Sequence, residues 1–153
     1  MAQFWLDKHD YFRHQCRTMQ EAADEFRNGR KSPEEFSTWI APRLQSFLGA
    51  LHGHHQIEDF HYFPSFRAAE KSLEPGFDTL ASDHELLHQG IVEIVKKIND
   101  FLSAVRENPQ PGSDTVRIAA DQYCENSELL FRRLQRHLDD EEDLIIPIML
   151  DRG

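Results

Sequence analysis

The stretch "HHQIEDFHYFP", residues His54 to Pro64, is answered late in the chain by "HLDDEEDLIIP", residues His137 to Pro147. In each, a histidine is followed after three residues by a glutamate, then by an acidic residue, and after four more residues by a proline. Residues four apart share one face of a helix. Each copy can therefore aim two metal-type donors at one point, and a frame used twice predicts a site that the fold builds from two halves.

Working outward, Gly and Pro divide the chain. "RNGRKSP" (27–33) closes a first segment, "FPSFRAAEKSLEPGF" (63–77) separates the halves, and "ENPQPGSD" (107–114) splits the second half. The segments between them carry helical periodicity and no strand-like alternation. The first stripe is Trp5, His9, Phe12, Cys16, Met19, Ala23 and Phe26; the second is Ile40, Leu44, Phe47, Leu51, His54 and Glu58. The third is Leu80, His84, Leu87, Ile91, Ile94, Ile98, Phe101 and Val105; the fourth is Val116, Tyr123, Leu130, Leu134, His137, Glu141, Leu144 and Ile148. Alternating steps of three and four mark the buried face of a bundle helix. Asn28-Gly29 fits a helix C-terminus. Ser32, Pro33 and Glu35 form a capping box with proline at the first helical position. Pro42 is expected to kink or restart the second helix, and Pro64 and Pro147 to stop theirs.

These signals predict an all-α fold, an up-down-up-down antiparallel four-helix bundle. The expected arrangement is one domain over 1–153, with helices at about 4–28, 33–63, 77–106 and 114–146.

Four histidines and two glutamates occupy core positions in those stripes. His9 and His84 lie early in the first and third helices, and His54 and His137 late in the second and fourth. Antiparallel packing brings all four to one end. Six buried polar side chains without partners would cost of the order of several kcal/mol each on apolar-transfer scales. Two metal ions would satisfy them, with His9, His54, His84 and His137 as imidazole donors and Glu58 and Glu141 placed to bridge. Mixed nitrogen and oxygen donors suit iron; manganese and zinc fit the same set. Six protein groups cannot fill two octahedral ions, so positions stay open for a small ligand.

With those residues in place, the chain resembles the hemerythrin-like family, the HHE cation-binding domain, in its H-HxxxE-H-HxxxE form. "HDYFR" (His9), "HHQIEDFHYFP" (His54, Glu58), "DHELL" (His84) and "HLDDEEDLIIP" (His137, Glu141) carry the resemblance over nearly the whole chain. It implies a four-helix bundle around an oxo- or hydroxo-bridged non-haem di-iron centre. It also implies a gaseous or peroxide ligand: dioxygen, nitric oxide or peroxide. The dioxygen carriers of the family use five histidines, with an HxxxH pair on the third helix. His84 and His88 have that spacing, but aligning "DHELL" with "HDYFR" sets His88 opposite Arg13, at the edge of its stripe. The carriers also space the last histidine and carboxylate more widely than His137 and Glu141. Both departures pull the expectation toward cytoplasmic relatives linked to iron handling, nitric oxide or peroxide.

Other histidines are placed by the same logic. His14 lies off its stripe. His55 and Asp59 repeat the spacing of His54 and Glu58, but the second copy has Leu138 where the first has His55, which favours His54. His52 and His61 are expected at the surface or behind the donors, and "DDEED" (139–143) as a solvated face with Glu141 turned inward. Asp83 is placed to orient an imidazole.

The formal net charge is −10 and the pI about 5.3, which argues against sequence-independent binding to nucleic acid or anionic membranes. Cys16 and Cys124 form no CxxC pair, no apolar run approaches the ~20 residues of a membrane span, and no signal peptide opens the chain. A soluble cytoplasmic protein is expected; nothing in the chain names a protein partner. The expected function is a di-iron protein that binds a small ligand in sensing, scavenging or iron and oxidative-stress handling. The alternative is a di-iron enzyme that degrades peroxide, or an iron donor for iron-sulfur cluster repair. A ferritin-like site would use Glu58-x-x-His61 and Glu85-x-x-His88 but leaves His9, His54 and His137 unexplained. An interaction bundle without metal offers the six polar groups nothing.

Overall fold

The computed structural model describes residues 2–151. It is all-α, with no strand among the described residues. Four long helices, α1 (Ala2–Arg27), α2 (Pro33–Ile57), α4 (Glu74–Glu107) and α5 (Asp114–Asp151), form the bundle. A short helix α3 (Phe63–Ala69) and a 3₁₀ turn (Lys71–Leu73) connect its halves. Each of α1 and α4 packs against both α2 and α5. Early residues of α1 and α4 meet late residues of α2 and α5, so neighbouring helices run antiparallel.

The helix ends follow from local chemistry. Gly29 turns α1 off at φ 77°, and the Arg30 amide reaches back to the Glu25 carbonyl at 2.9 Å. That is the six-to-one bond of a glycine C-terminal motif. At the start of α2 the Glu35 amide donates to Ser32 Oγ at 3.1 Å, and the Glu35 carboxylate accepts from the Ser32 amide.

Pro42 does not restart its helix and Pro147 does not stop its own, against expectation. Helix α2 continues through Pro42 and α5 through Pro147. Pro42 is exposed, as is Thr38, whose carbonyl loses its helical donor and can turn to water instead. Pro64 opens α3, where a first-turn residue needs no N–H. Before it, residues Glu58–Tyr62 form one wide π turn, closed by the Phe63 amide on the Glu58 carbonyl. The wider turn brings Phe63 onto the face of Glu58 five residues earlier, and both are buried. Helix α4 starts at Glu74, earlier than the expected 77, because Pro75 fits its first turn.

Apolar side chains collect in two clusters. The larger holds Phe12, Phe36, Phe47, Ile94, Phe101, Tyr123, Phe131 and Leu134 among others. The smaller, of Trp5, Phe63, Phe77, Leu80, Ile145 and Ile148, lies between the connecting segment and the ends of α1, α4 and α5. Histidines and glutamates separate the two. Among the described residues, no helix is long and apolar enough to cross a membrane.

Candidate metal centre

All six donors expected from the sequence meet in that polar layer. His9, Glu58 and Glu141 are fully buried, His137 is 2 % exposed, His84 5 % and His54 9 %. The Nε2 atoms point inward. His9 Nε2 lies 3.2 Å from Glu141 Oε2, and His54 Nε2 lies 3.3 Å from Glu58 Oε1. His84 Nε2 approaches Glu141 Oε1 at 3.1 Å and Glu58 Oε1 at 3.4 Å. His137 Nε2 closes on Glu141 Oε1 one helical turn away.

The outward nitrogens find carboxylates. His84 Nδ1 is 2.8 Å from Asp59 Oδ1, His137 Nδ1 3.3 Å from Asp83 Oδ2, and His9 Nδ1 3.3 Å from Glu142 Oε1. An ionised carboxylate only accepts, so Asp59 and Asp83 hold a proton on Nδ1 of His84 and His137, and Nε2 is the nitrogen left to give up its proton to a metal. This carboxylate–histidine pairing is how metal-binding imidazoles are commonly oriented. Asp83 is the orienting group expected from the sequence.

Asp59 and Glu142 are the acidic residues that follow the glutamate in each copy of the frame, and neither was read in this role. Each reaches across to the other half of the bundle: Asp59 from beyond α2 to α4, Glu142 from α5 to α1. Asp139, Asp140 and Asp143 are exposed, as expected of "DDEED", and Glu142 joins Glu141 as a second, half-buried exception. Arg13 grips its carboxylate at 2.9 and 2.6 Å and reaches Asp139 at 2.8 Å. A repeated acidic residue next to a repeated donor was the signal for both.

His55, set aside in the sequence, is in the layer. It is 7 % exposed, and its ring stacks on His84 at 4.0 Å. His14, His52, His61, Glu85 and His88 are all exposed. That excludes His88 as a fifth histidine of the centre, and it removes the ferritin-like pairs. Trp5 supplies one further contact: its indole N–H donates to Glu58 Oε2 at 3.2 Å.

Two sets of donor atoms result. His55, Glu58, His84 and His137 form one, and His9, His54, Glu58 and Glu141 the other, the atoms of each lying within 4.8 Å of one another. Glu58 belongs to both. Among the described residues, the buried side-chain nitrogens and oxygens without a hydrogen bond are His9 Nδ1 and Nε2, His54 Nε2, His55 Nε2, Glu58 Oε1, His137 Nε2 and Glu141 Oε2. Every one belongs to this layer. Several stand within 3.5 Å of an ion-pair partner without hydrogen-bond alignment. Orphaned buried lone pairs converging on two points fit metal ions.

The electrostatics agree. Without metal, burial pushes the His55 imidazole down to about 2, helped by the neighbouring His84. Burial works in the same direction on His84, but hydrogen bonds to Glu141 and Glu58 outweigh it and hold this ring up at about 10. His137 is raised in the same way against burial, by Glu141. Burial favours a neutral Glu141, yet contacts from His137, His84 and His9 keep it well below the usual carboxylate range. Protons on the histidines thus supply positive charge that metal cations would otherwise bring, and metal binding would displace them.

Compared with known protein families, residues 1–149 match the model of the hemerythrin HHE cation-binding domain. Neither curated proteins nor solved structures give a match.

Proposed function

The chain belongs to the hemerythrin HHE cation-binding domain family, and we propose that its polar layer holds two iron ions and binds a small ligand, dioxygen, nitric oxide or peroxide. The concentration of the orphaned buried polar atoms in residues of two donor sets that share Glu58 supports this reading. His9, His54, His84 and His137 would supply imidazoles, and Glu58 and Glu141 carboxylates, with Glu58 belonging to both donor sets. Iron supplies redox-active Lewis acidity and exchangeable coordination positions.

The chain's own residues would do the rest. Asp59 and Asp83 hold the Nδ1 proton of His84 and His137, which frees Nε2 for a metal, and Glu142 stands 3.3 Å from His9 Nδ1. Trp5 holds Glu58 by its second oxygen. The two apolar clusters keep bulk water from both sides of the layer. A cavity of about 330 Å³ between α1 and α2 runs from Phe4, Lys8, Tyr11 and Ile57 at the surface to Trp5, Phe12 and His54. It gives a small ligand an apolar way in on the side of His9 and His54. A larger cavity, about 580 Å³, lies at the far end of the bundle and touches none of the donors.

The test is elemental analysis of protein expressed with ample iron, followed by stopped-flow spectra of the reduced protein with dioxygen and nitric oxide. Two irons per chain and new absorption bands are expected. Well-folded protein with no metal would refute the centre; two irons with no spectral response to either gas would refute the ligand.

A further inference from the structure

We infer that His55 is a further metal donor, completing the ion on the His84–His137 side, so that consecutive histidines of one helix serve two different ions. This deepens the di-iron reading and rests on it.

Neighbouring residues of an α-helix point about 100° apart. At the end of α2 that divergence straddles the polar layer. His54 turns toward α1, where its ring meets His9 at 5.1 Å and Phe12 at 5.2 Å. His55 turns toward α4 and α5, stacking on His84 at 4.0 Å with an 18° angle between planes and meeting His137 edge-on at 5.7 Å. Glu58 follows at i+4 from the first and i+3 from the second, so both share a carboxylate with their helix. The donor set His55, Glu58, His84 and His137 contains this ring and excludes His54.

Packing alone does not explain the residue. His55 Nε2 is buried without a hydrogen-bond partner. The equivalent residue of the second copy, Leu138, is fully buried with no polar atom to satisfy. A leucine would therefore serve the fold at position 55 as one does at 138. The exposed His88 leaves the His84–His137 side with two imidazoles from the helices that carry them, and His55 supplies a third from α2.

The test compares wild type, His55→Leu, His55→Gln and His88→Ala, each prepared metal-free and then loaded with iron(II) under anaerobic conditions. Iron per chain, the number of imidazole neighbours from X-ray absorption, and the thermal midpoint of the metal-free form are measured. The inference expects two irons in wild type and in His88→Ala. Both position-55 variants should hold one iron or lose at least tenfold in affinity for the second, with fewer imidazoles per iron. Metal-free His55→Leu should melt no lower than wild type, which separates a lost donor from a damaged fold. Two tightly held irons with an unchanged imidazole count in both position-55 variants would overturn the inference and leave the di-iron reading standing. A wild type that takes up no iron would overturn that reading first, and this inference with it.

Discussion

Replacing Asp59 by alanine tests whether carboxylates outside the donor layer tune it. Asp59 Oδ1 accepts from His84 Nδ1 at 2.8 Å, the shortest of the three outer contacts. It fixes the proton on the outward nitrogen and leaves Nε2 for metal. Without it the ring is held by its stack on His55 at 4.0 Å and on Phe63 at 5.4 Å, and either nitrogen can carry the proton. Loss of such a partner typically costs 10–100-fold in metal affinity, about 1.4–2.7 kcal/mol. The Asp59 side chain is 39 % exposed, so water can replace it as acceptor, and the expected loss is at the lower end, about tenfold. Glu142 is only 18 % exposed and is gripped twice by Arg13, whose guanidinium would lose its main partner. Glu142→Ala should therefore lose more, toward about a hundredfold. The assay is competition between metal-free protein and a chromophoric chelator for iron(II). Asp78→Ala, which removes only an exposed partner of Arg67, is the control. Affinity of Asp59→Ala within about twofold of wild type would refute the reasoning, because packing alone would then orient His84.

Three other outcomes are expected. The Trp5 ring lies 4.0 Å from that of His9, so in Trp39→Phe, which leaves Trp5 as the lone tryptophan, iron loading should quench most of the fluorescence; unchanged emission in iron-loaded protein would place the metal elsewhere. Burial pushes the Cys16 thiol up to about 12 and Cys124 up to about 11, from an ordinary 9.0. The unfolded chain then ionises first, so stability is full below about pH 8 and falls as pH rises through 9, by about 1.4 kcal/mol per cysteine at pH 10. Urea unfolding of wild type and Cys16→Ala/Cys124→Ala at pH 8 and 10 checks this: the double variant should lose about 3 kcal/mol less between the two, and an equal loss would sink the argument. Pro42→Ala should stabilise the metal-free protein by about 1–2 kcal/mol, restoring a helical donor against a smaller gain in unfolded-chain entropy; a lower thermal midpoint would show that the proline is needed where it stands.

The helices and the polar layer were legible because bundle stripes repeat many times, and a histidine or glutamate inside a stripe has no surface to escape to. The prolines were misread because sequence does not say which face of a helix a proline occupies. Pro42 stands on the solvent face, where a lost backbone bond is replaced by water, and Pro64 opens a new helix instead of only ending one. His55 was missed for a different reason. A stripe describes one seam per helix, but near the layer α2 contacts α1 on one flank and α4 on the other, and a second seam opens one residue along. Comparison with Leu138 favoured His54, which is in the layer, but gave no reason to look for a second buried imidazole beside it.

The two halves match only in part, and the differences bear on function. The first half lends Asp59 to His84 of the second, and the second lends Glu142 to His9 of the first, a reciprocal exchange that keeps the halves in register. Beyond it the symmetry breaks in one direction. The residue before His84 is Asp83, which reaches His137; the residue before His9 is Lys8, which lies on the rim of the cavity. The residue after His54 is the imidazole of His55; the residue after His137 is the hydrocarbon of Leu138. One donor set therefore gathers three histidines, two of them with a carboxylate behind. The other has two histidines and a second carboxylate, Glu141; one of its histidines faces a carboxylate that Arg13 partly neutralises, and beside it lies an apolar cavity. Each set has four donors, but the His84–His137 side has three imidazoles and one carboxylate where the other has two of each. An apolar approach would lead a small ligand to the His9–His54 side. The duplicated frame supplies two candidate positions for metal, and the residues that break its symmetry make them chemically unequal.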